Sequence, residues 1–371
     1  MMVLSHRENA KVRKRERESR SGFLIPGISC LTQPLTITML CVFAASAAGG
    51  QVTVKKIDYN GWNDCWELSN PVVRLVVVPQ IGGRIMEYSI DGDNALWQNE
   101  KELGKVSGAD VGRTWRNYGG HKAWNAPQSK WRTTDRDYYY DSMPAQVVPL
   151  SQPNGGMAGV RVVCAPIKHL GYQIVRDIEL SQTTSRVRVT ERMRNISDHD
   201  ISWSVWGVTQ VKVPCWIAFP VNRDSKFEDG WNVLYPPATK LTQIRRVGGI
   251  GIMRYNNATE NWATDAMAGW MAYLKGQLAY TKHWATRLVG VTYPDDGCDA
   301  AFYTCRSDSF GGYAEMEVMG PVVTLKPGEE TTLVEDWFLT RLNQSAKDES
   351  DVIERLKLLQ KRGLLSRGIR F

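Results

Sequence analysis

A twenty-residue segment, residues 112–131, concentrates side chains of the kinds that bind sugars. It reads GRTWRNYGGHKAWNAPQSKW and holds three tryptophans, one histidine, two arginines, two lysines and a Gly-Gly pair. Tryptophan faces are rigid apolar platforms, arginine and asparagine donate directed hydrogen bonds, and glycine lets the backbone approach a ligand closely. The composition therefore predicts a carbohydrate-binding site. The alternative is that the tryptophans only cap the core beneath a long loop.

A second polar and aromatic group lies in residues 262–284. It comprises Trp270, Tyr273, Tyr280, Lys282 and His283.

The first segment lies within residues 98–146, about 45 residues without a strong strand signal. Loops of that length in a compact domain are usually functional. We therefore expect the binding segment to be part of a long functional loop.

The elements that must position these side chains are β-strands. Between Val52 and Leu342 the chain is a succession of alternating or β-branched runs, such as VVRLVVV, YQIVRDIEL and YAEMEVM, separated by turns rich in Gly, Pro, Asn and Asp. The sequence shows neither the spacing of βαβ units nor an internal repeat. The pattern predicts an all-β, antiparallel sandwich of large sheets.

One helix is expected, at the C-terminus, over residues 349–362. Val352, Leu356 and Leu359 recur at helical spacing, Ser350 lies near the start and Gly363 follows the end. The apolar face predicts that this helix packs on an edge or face of the sandwich.

The N-terminus resembles an export signal. Residues 1–47 hold seven basic and three acidic residues, followed within that stretch by an apolar run over 35–44 and small residues at 45–48. We divide the chain into a leader (1–47), a sandwich domain (48–345) and a C-terminal helix with its tail (346–371). We expect a secreted or periplasmic protein without stable membrane insertion, because the apolar run is shorter than the ~20 residues of a membrane-spanning helix.

The charge excludes a nucleic-acid partner. The formal net charge is +7, but residues 48–371 carry only 39 basic and 36 acidic residues, without a basic stripe. Five cysteines remain after the leader, an odd and widely spaced set that predicts free thiols. No Cys-x-x-Cys or His-Glu-x-x-His spacing indicates a metal, and no cofactor is expected.

Three motifs resemble those of the galactose-mutarotase-like (aldose 1-epimerase) superfamily. PQIGGRIMEYSIDGDNALWQNE resembles its early strand pair, and YAEMEVMGPVVTLKPGEETTLVEDWFL is similar to its acidic strand, Pro-Gly turn and last strand. With the segment NYGGHKAWNAPQ, the mature chain resembles a secreted bacterial branch of that superfamily whose function is uncharacterised. The resemblance implies an antiparallel β-supersandwich.

The resemblance also implies a chemistry. Mutarotases remove a proton from the anomeric hydroxyl with a carboxylate and deliver one to the ring oxygen with a histidine. Glu317 matches the base, and Glu315 lies two residues away on the same strand face. His121 and one of Arg113 or Arg116 resemble the sugar-binding histidine and arginine. The alternative is that the two glutamates are solvated strand carboxylates and that His121 only bonds within its loop.

The sequence departs from the superfamily at the second histidine. The corresponding strand reads SWSVWGVTQ and contains none, although Trp206 and Gln210 could bind a sugar. We therefore name Lys282 or His283 as the partner of Glu317, giving Glu317, His283 and Lys282 as the predicted catalytic residues. The predicted substrate-binding residues are Arg113, Trp115, Arg116, Asn117, His121, Trp124, Trp206, Gln210 and Glu315.

Three functions fit these residues. The first is an enzyme on a sugar or uronic acid, with epimerase-like or lyase-like acid–base chemistry, for which the cationic groups would suit an acidic mono- or oligosaccharide. The second is a non-catalytic carbohydrate-binding protein that has lost the catalytic histidine. The third is a structural or interaction domain. A glycoside hydrolase is a lesser variant of the first, because its two carboxylates normally come from separate elements.

Overall fold

Two large antiparallel β-sheets pack face to face in the computed structural model. The structure describes residues 51–107, 116–131, 142–235, 241 and 243–365. Every strand pairing within these residues is antiparallel, as the alternating sequence pattern predicts. The all-β supersandwich predicted from the sequence is therefore confirmed.

The first sheet has twelve strands in the described part of the chain. They are β1 (Thr53–Tyr59), β2 (Trp62–Ser69), β3 (Arg74–Val78), β4 (Arg84–Ile90), β5 (Asp93–Asn94), β6 (His121–Ala126), β11 (Ile201–Val211), β13 (Asn232–Tyr235), β16 (Glu260–Thr264), β19 (Ala300–Cys305), β20 (Tyr313–Met319) and β21 (Val323–Leu325). The main spatial order is β1-β2-β3-β4-β6-β11-β20-β19-β16-β13, which places β6, β11, β20 and β19 side by side at its centre.

The second sheet has ten strands in the same described ranges. They are β7 (Gln146–Pro149), β8 (Met157–Val163), β9 (Tyr172–Ser181), β10 (Val187–Asn195), β12 (Trp216–Pro220), β14 (Ile244–Val247), β15 (Ile250–Arg254), β17 (Trp270–Lys275), β18 (Leu278–Trp284) and β22 (Glu330–Arg341). The spatial order is β14-β15-β12-β17-β18-β22-β10-β9-β8-β7.

The main core lies between the sheets. Side chains from the inner faces, among them Phe219, Trp262, Phe302 and Trp337, are fully buried there and stack at ring distances of 4.6–5.4 Å where Phe302 meets Phe219 and Trp262. Because strand side chains alternate, the same central strands also present an outer face. On β20, Met316 points into the core and its two neighbours, Glu315 and Glu317, point outward.

The C-terminal helix, α3 (Glu349–Lys361), confirms the predicted element within one residue. Val352, Leu356 and Leu359 are fully buried against the outer face of the second sheet, where they meet Trp216 and Trp270. The cap differs from the expectation: Asp348, not Ser350, accepts a hydrogen bond from the backbone of the first turn. Helices α1 (Pro294–Gly297) and α2 (Ser307–Phe310) and the 3-10 turns Pro79–Ile81, Glu100–Glu102 and Gln128–Lys130 are single turns.

Strand β6 corrects the expectation of one long loop between residues 98 and 146. It lies in the middle of the first sheet, paired with β4 and β11. Gly119 and Gly120 precede it at φ +95° and +70°, and a Cβ would meet the carbonyl oxygens of Trp97 and Ile85 at 2.2 and 2.3 Å. The Gly-Gly pair therefore serves close packing of the protein's own backbone, not approach to a ligand.

No helix of the described residues is both long enough and apolar enough to span a bilayer. The five cysteines of residues 51–365 are all free thiols, and four of them are buried.

Candidate functional site

A cleft of about 340 Å³ opens on the outer face of the first sheet. Its floor is formed by the outward side chains of adjacent strands, Trp124 of β6, Trp206 of β11 and the carboxyl groups of Glu315 and Glu317 of β20. The volume falls within the range of about 300–1,000 Å³ that is usual for small-molecule sites. The other described residues that line the cleft are Tyr303, Tyr313, Phe310, Asn261 and Gln128.

Glu315 and Glu317 form a carboxyl pair at the bottom of this cleft. They lie two residues apart on the same face of β20, and Glu315 is among the causes that raise the pKa of Glu317. The Trp206 Nε1 group donates to Glu317 Oε2 at 2.9 Å, and the Gln210 Nε2 group donates to Glu315 Oε1 at 2.7 Å. Both glutamates are more than nine-tenths buried. Among the described residues, neither has an ion pair.

The electrostatics favour a protonated Glu317. Burial, and after it the adjacent Glu315, raises the pKa of Glu317 well above its ordinary value. Lys122, the outward neighbour on β6, acts in the opposite direction. Its ammonium lies 3.7 Å from the centroid of the Trp124 ring, so it lies under the aromatic wall.

The aromatic wall consists of three tryptophans: Trp124 and Trp131 come from the binding segment, and Trp206 comes from the neighbouring strand β11. The rings of Trp124, Trp131 and Trp206 contact one another with centroids 5.3–6.0 Å apart. Tyr313 and Tyr303 face them across the carboxyl pair, and burial raises the pKa of both phenols, which remain hydrogen-bond donors. Flat apolar faces above a polar floor match the two kinds of surface on a pyranose ring.

His121 and Lys282, two of the predicted site residues, lie between the sheets instead of in the cleft. We call His121, Glu191, Thr209, Lys282 and Glu335 the inter-sheet polar cluster. Lys282 Nζ contacts Glu335 Oε2 at 2.7 Å and donates to Thr209 Oγ1 at 3.0 Å. His121 contacts Thr209 Oγ1 through Nδ1 at 2.8 Å and Glu191 Oε1 through Nε2 at 2.9 Å. The four charged or titratable side chains have no exposed area.

Hydrogen bonds connect the members of the cluster, although Glu191 Oε2 and Glu335 Oε1 are buried without a hydrogen-bond partner among the described residues. Since Thr209 Oγ1 accepts from the Lys282 ammonium, its own hydrogen is available to His121 Nδ1, and the Nε2 hydrogen then points to Glu191. Burial, with Lys282 adding to it, lowers the pKa of His121 well below its ordinary value, which agrees with a neutral imidazole. Burial and Glu335 raise the pKa of Glu191 to about 8.

The structure does not bring the predicted acid partners to Glu317. Lys282 points into the interior from the second sheet, where its third bond, at 3.1 Å, goes to the carbonyl of Met316. His283 points the other way, to the outside of the second sheet, and its Nε2 contacts the Leu364 carbonyl at 2.9 Å. Adjacent strand residues face opposite sides, so at most one of these two side chains could face the first sheet.

Two other predicted residues do not line the cleft. Arg116 is ion-paired with Glu102 at 2.7 Å. Asn117 is buried, and its carbonyl accepts from Asn99. Arg113 and Trp115 lie outside the described residues. Trp124, Trp206, Gln210, Glu315 and Glu317 are therefore the predicted residues that the structure does bring together.

Several cleft residues were missed from the sequence. Tyr313 precedes Glu315 by two positions, so strand alternation alone could have identified it. Tyr303 and Asn261 lie on β19 and β16, and their presence depends on the strand order β20-β19-β16, which the sequence does not specify. Lys122 could have been recognised only with β6 assigned as a strand.

Comparison with known proteins agrees with this architecture. A family model described as "Domain of unknown function (DUF4380)" matches residues 64–340, and the chain belongs to that family. No curated protein matches the sequence.

Solved structures of the mutarotase type share the fold. A galactose mutarotase-like protein from Clostridium acetobutylicum is similar at a TM-score of 0.51 and 11% identity, over 79% of this chain and 99% of that one. The YeaD protein of Salmonella typhimurium, provisionally described as a mutarotase, matches at 0.51 and 8%, over 78% and 94%. The Slr1438 protein of Synechocystis sp. PCC 6803 matches at 0.50 and 12%, over 78% and 100%. At these identities the similarity establishes the fold, so the predicted resemblance to the superfamily is confirmed at that level.

Proposed function

We propose that this member of the DUF4380 family binds a sugar in the outer-face cleft and transfers protons to it with the Glu315–Glu317 pair. The observation that carries the proposal is the pair itself: two buried, adjacent carboxyl groups at the floor of an aromatic cleft. The mutarotase-like fold of its structural relatives supports a sugar ligand by analogy.

The pair can supply both an acid and a base. Two adjacent carboxyl groups resist ionising together, so they hold one proton in common near neutral pH. The protonated member is a donor and the other member is an acceptor. A histidine acid is then unnecessary, which accounts for its absence from β11, the strand that carries Trp206 and Gln210.

The reaction that this arrangement fits is exchange of anomers. The ionised carboxylate takes the proton of the anomeric hydroxyl while the C1–O bond to the ring oxygen breaks and its electron pair moves to that oxygen. The protonated carboxyl donates its proton there. The open-chain aldehyde rotates about the bond between C1 and C2 and closes again by the reverse steps, which return both protons.

We propose an uncharged sugar as the ligand. The expectation of an acidic sugar depended on Lys282 and His283, which lie in the interior and on the outside of the second sheet. The described residues that line the cleft include no basic side chain, and the nearby Lys122 lies against the Trp124 ring instead of in the lining. A uronate would bring a third carboxyl group to Glu315 and Glu317, and like charges at close range repel.

A non-catalytic sugar-binding protein is the second candidate. The observation that favours it is that no imidazole lines the cleft within the described residues. In that case Glu315 and Glu317 would only accept hydrogen bonds from sugar hydroxyls.

Anomer exchange measured by NMR separates the two candidates. Saturation transfer between α and β signals would be recorded for a panel of neutral hexoses, pentoses and uronic acids, with and without protein. We expect exchange above the uncatalysed rate for at least one neutral sugar and its loss in Glu315→Gln. Binding without exchange for any sugar would leave the binding protein, and no binding at all would reject both candidates.

We also propose that the protein is exported and that residues 1–47 are removed, because the basic, apolar and small-residue stretches follow one another in the order of a signal peptide. Mass measurement of the protein from its native cell tests this. A mature chain that begins near Ala48 is expected, and an intact Met1 in the cytoplasm would reject the proposal.

A further inference from the structure

One side chain of the second sheet bonds to both β11 and β20, the strands that carry the carboxyl pair and its donors, from their inner face. Three consecutive residue pairs join β11 to β20 beneath the cleft: Val208 with Glu317, Thr209 with Met316, and Gln210 with Glu315. The first and last of these place the carboxyl groups outward. The middle pair faces the interior, directly behind them.

The Lys282 ammonium lies on this middle pair. It donates to Thr209 Oγ1 on β11 at 3.0 Å and to the Met316 carbonyl on β20 at 3.1 Å, and its third contact is Glu335 of the second sheet at 2.7 Å. One buried cation therefore links three strands, two of which carry the carboxyl pair and its donors. Glu335 in turn accepts from Trp337 Nε1 at 2.8 Å, which fixes it in place.

We infer that Lys282 is a positioning residue that sets the register and spacing of Glu315 and Glu317 from the opposite face of the sheet. The inference extends the proposed function, since the groups that Lys282 positions are the proposed acid and base. It does not require Lys282 to touch the sugar.

The geometry supports this role over general stabilisation. A lysine that only filled the core would need one counter-ion, and Glu335 supplies it. The other two bonds go to the one residue pair that separates the two carboxyl groups along the strands. Strand residues two apart have Cα atoms about 6.5 Å apart, so a small change of twist at Met316 alters the contact between the two carboxyl groups.

The Trp206 indole N–H reports on the pair without knowledge of the sugar. It donates to Glu317 Oε2 at 2.9 Å, so its NMR resonance shifts when the pair gains or loses its proton. The resonance is assigned by its absence in Trp206→Phe. The other ionisable groups around Glu317 are Glu315 and Tyr313 on the same strand, Lys122 on β6 and Tyr303 on β19, and none of them is altered by the variants below.

The test compares Lys282→Met with the double variant Lys282→Met/Glu335→Gln. The single variant leaves a buried carboxylate without its cation, which is strongly destabilising, whereas the double variant removes both charges. We expect the double variant to recover most of the lost thermal stability. We also expect its Trp206 titration midpoint to stay displaced from that of the unmodified protein by about one pH unit.

Thr209→Val tests the same contact with no change of charge. It removes the hydroxyl that receives the Lys282 bond, and we expect a displacement of the Trp206 midpoint in the same direction, by about half a unit. Arg176→Met is the matched control. Arg176 is another buried cation, but it bonds to the carbonyls of Gly82 and Gly83 and touches neither β11 nor β20. It should lower stability and leave the Trp206 midpoint unchanged.

The inference is overturned if the double variant and Thr209→Val both keep the unmodified Trp206 midpoint, because Lys282 would then only stabilise the core. Sugar titrations of the same samples keep this outcome separate from the proposed function. Unchanged midpoints with intact anomer exchange would reject the positioning role alone, whereas displaced midpoints in a protein that exchanges no anomers would support the positioning role and reject the enzyme.

Discussion

The two faces of the first sheet hold similar chemistry in opposite settings. On the outer face, Glu315 and Glu317 meet an open cleft and accept only from the neutral donors Gln210 and Trp206. On the inner face, Glu335 is ion-paired with Lys282 and Glu191 contacts His121, with no exposed side-chain area. Both regions combine two carboxyl groups, an aromatic ring and a cation. Access to solvent and the supply of counter-ions decide which of them can act on a ligand.

This difference underlies the separate tasks that we propose for the two regions. The inner carboxyl groups are closed to solvent and contact His121 and Lys282, so they contribute to holding the sheets together. The outer pair has one carboxyl proton that neither a cation nor the backbone fixes. Catalytic acid–base groups are expected where burial and like charge displace a pKa beside an open space.

The largest expected effect is that of replacing a carboxyl group on the outer face, compared with the same replacement on the inner face. Glu317→Gln keeps the shape and the Trp206 contact but can neither donate nor accept the transferred proton, so we expect anomer exchange to fall roughly 10²–10⁴-fold with sugar affinity within a few-fold. Glu191→Gln is the matched interior change and should leave the exchange rate unaltered. Saturation-transfer NMR measures both. Equal losses in the two variants would mean that the faces do not differ in the way described.

The next effect concerns stability. His121→Leu removes the partner of Glu191 Oε1 and one of the two partners of Thr209 Oγ1 in a fully buried site, so we expect the free energy of unfolding to fall by about 2–4 kcal/mol. Chemical denaturation measures it. At temperatures below the transition, the titration of Trp206 and the sugar affinity should remain. A variant as stable as the unmodified protein that has lost sugar binding would return His121 to the binding site.

The sequence predicted the fold and one side of the site because strand alternation is directly readable. Glu315 and Glu317 differ by two positions, and so do Trp124 and Lys122, which makes each pair share a face. His121 and Trp124 are three positions apart, so on strand β6 their side chains lie on opposite faces of the sheet. The segment was interpreted as a loop because its six residues, HKAWNA, contain no β-branched side chain.

The remaining errors concern which sheet a strand joins. Nothing in residues 278–284 indicates that β18 pairs with β22 in the second sheet instead of joining β20 in the first. That order results from packing between distant segments, as does the approach of β16 and β19 to the cleft. Local patterns determine which residues share a face, and long-range pairing determines which faces meet.

The third prediction tests the aromatic wall. Trp124→Ala removes a ring that contacts Trp131 and Trp206, and we expect sugar binding to weaken by about 1–3 kcal/mol if the ring contacts the ligand. Isothermal calorimetry with a sugar from the exchange panel measures it. Trp131→Ala is the companion variant in the same wall. Unchanged affinity in both, with the fold intact by circular dichroism, would make the wall a structural cap.

The smallest expected effect is a pH dependence of the protein's stability that is caused by Glu191 on the inner face. Burial and Glu335 raise the pKa of Glu191 from its ordinary value of 4.5 to about 8. An acid whose pKa is raised on folding contributes stability fully below the unfolded value and loses it as pH rises to the folded value. His121 works in the opposite sense, because its pKa is lowered on folding, so its contribution grows as pH rises through its unfolded value.

The difference in stability between the unmodified protein and Glu191→Gln isolates the contribution of the glutamate. We expect the variant to be nearly as stable at pH 5, since the amide imitates the protonated carboxyl group, and to become relatively more stable toward pH 9. Thermal unfolding across that range measures the difference. A stability difference independent of pH would mean that Glu191 is ionised throughout, with its charge compensated by Lys282 and Arg176.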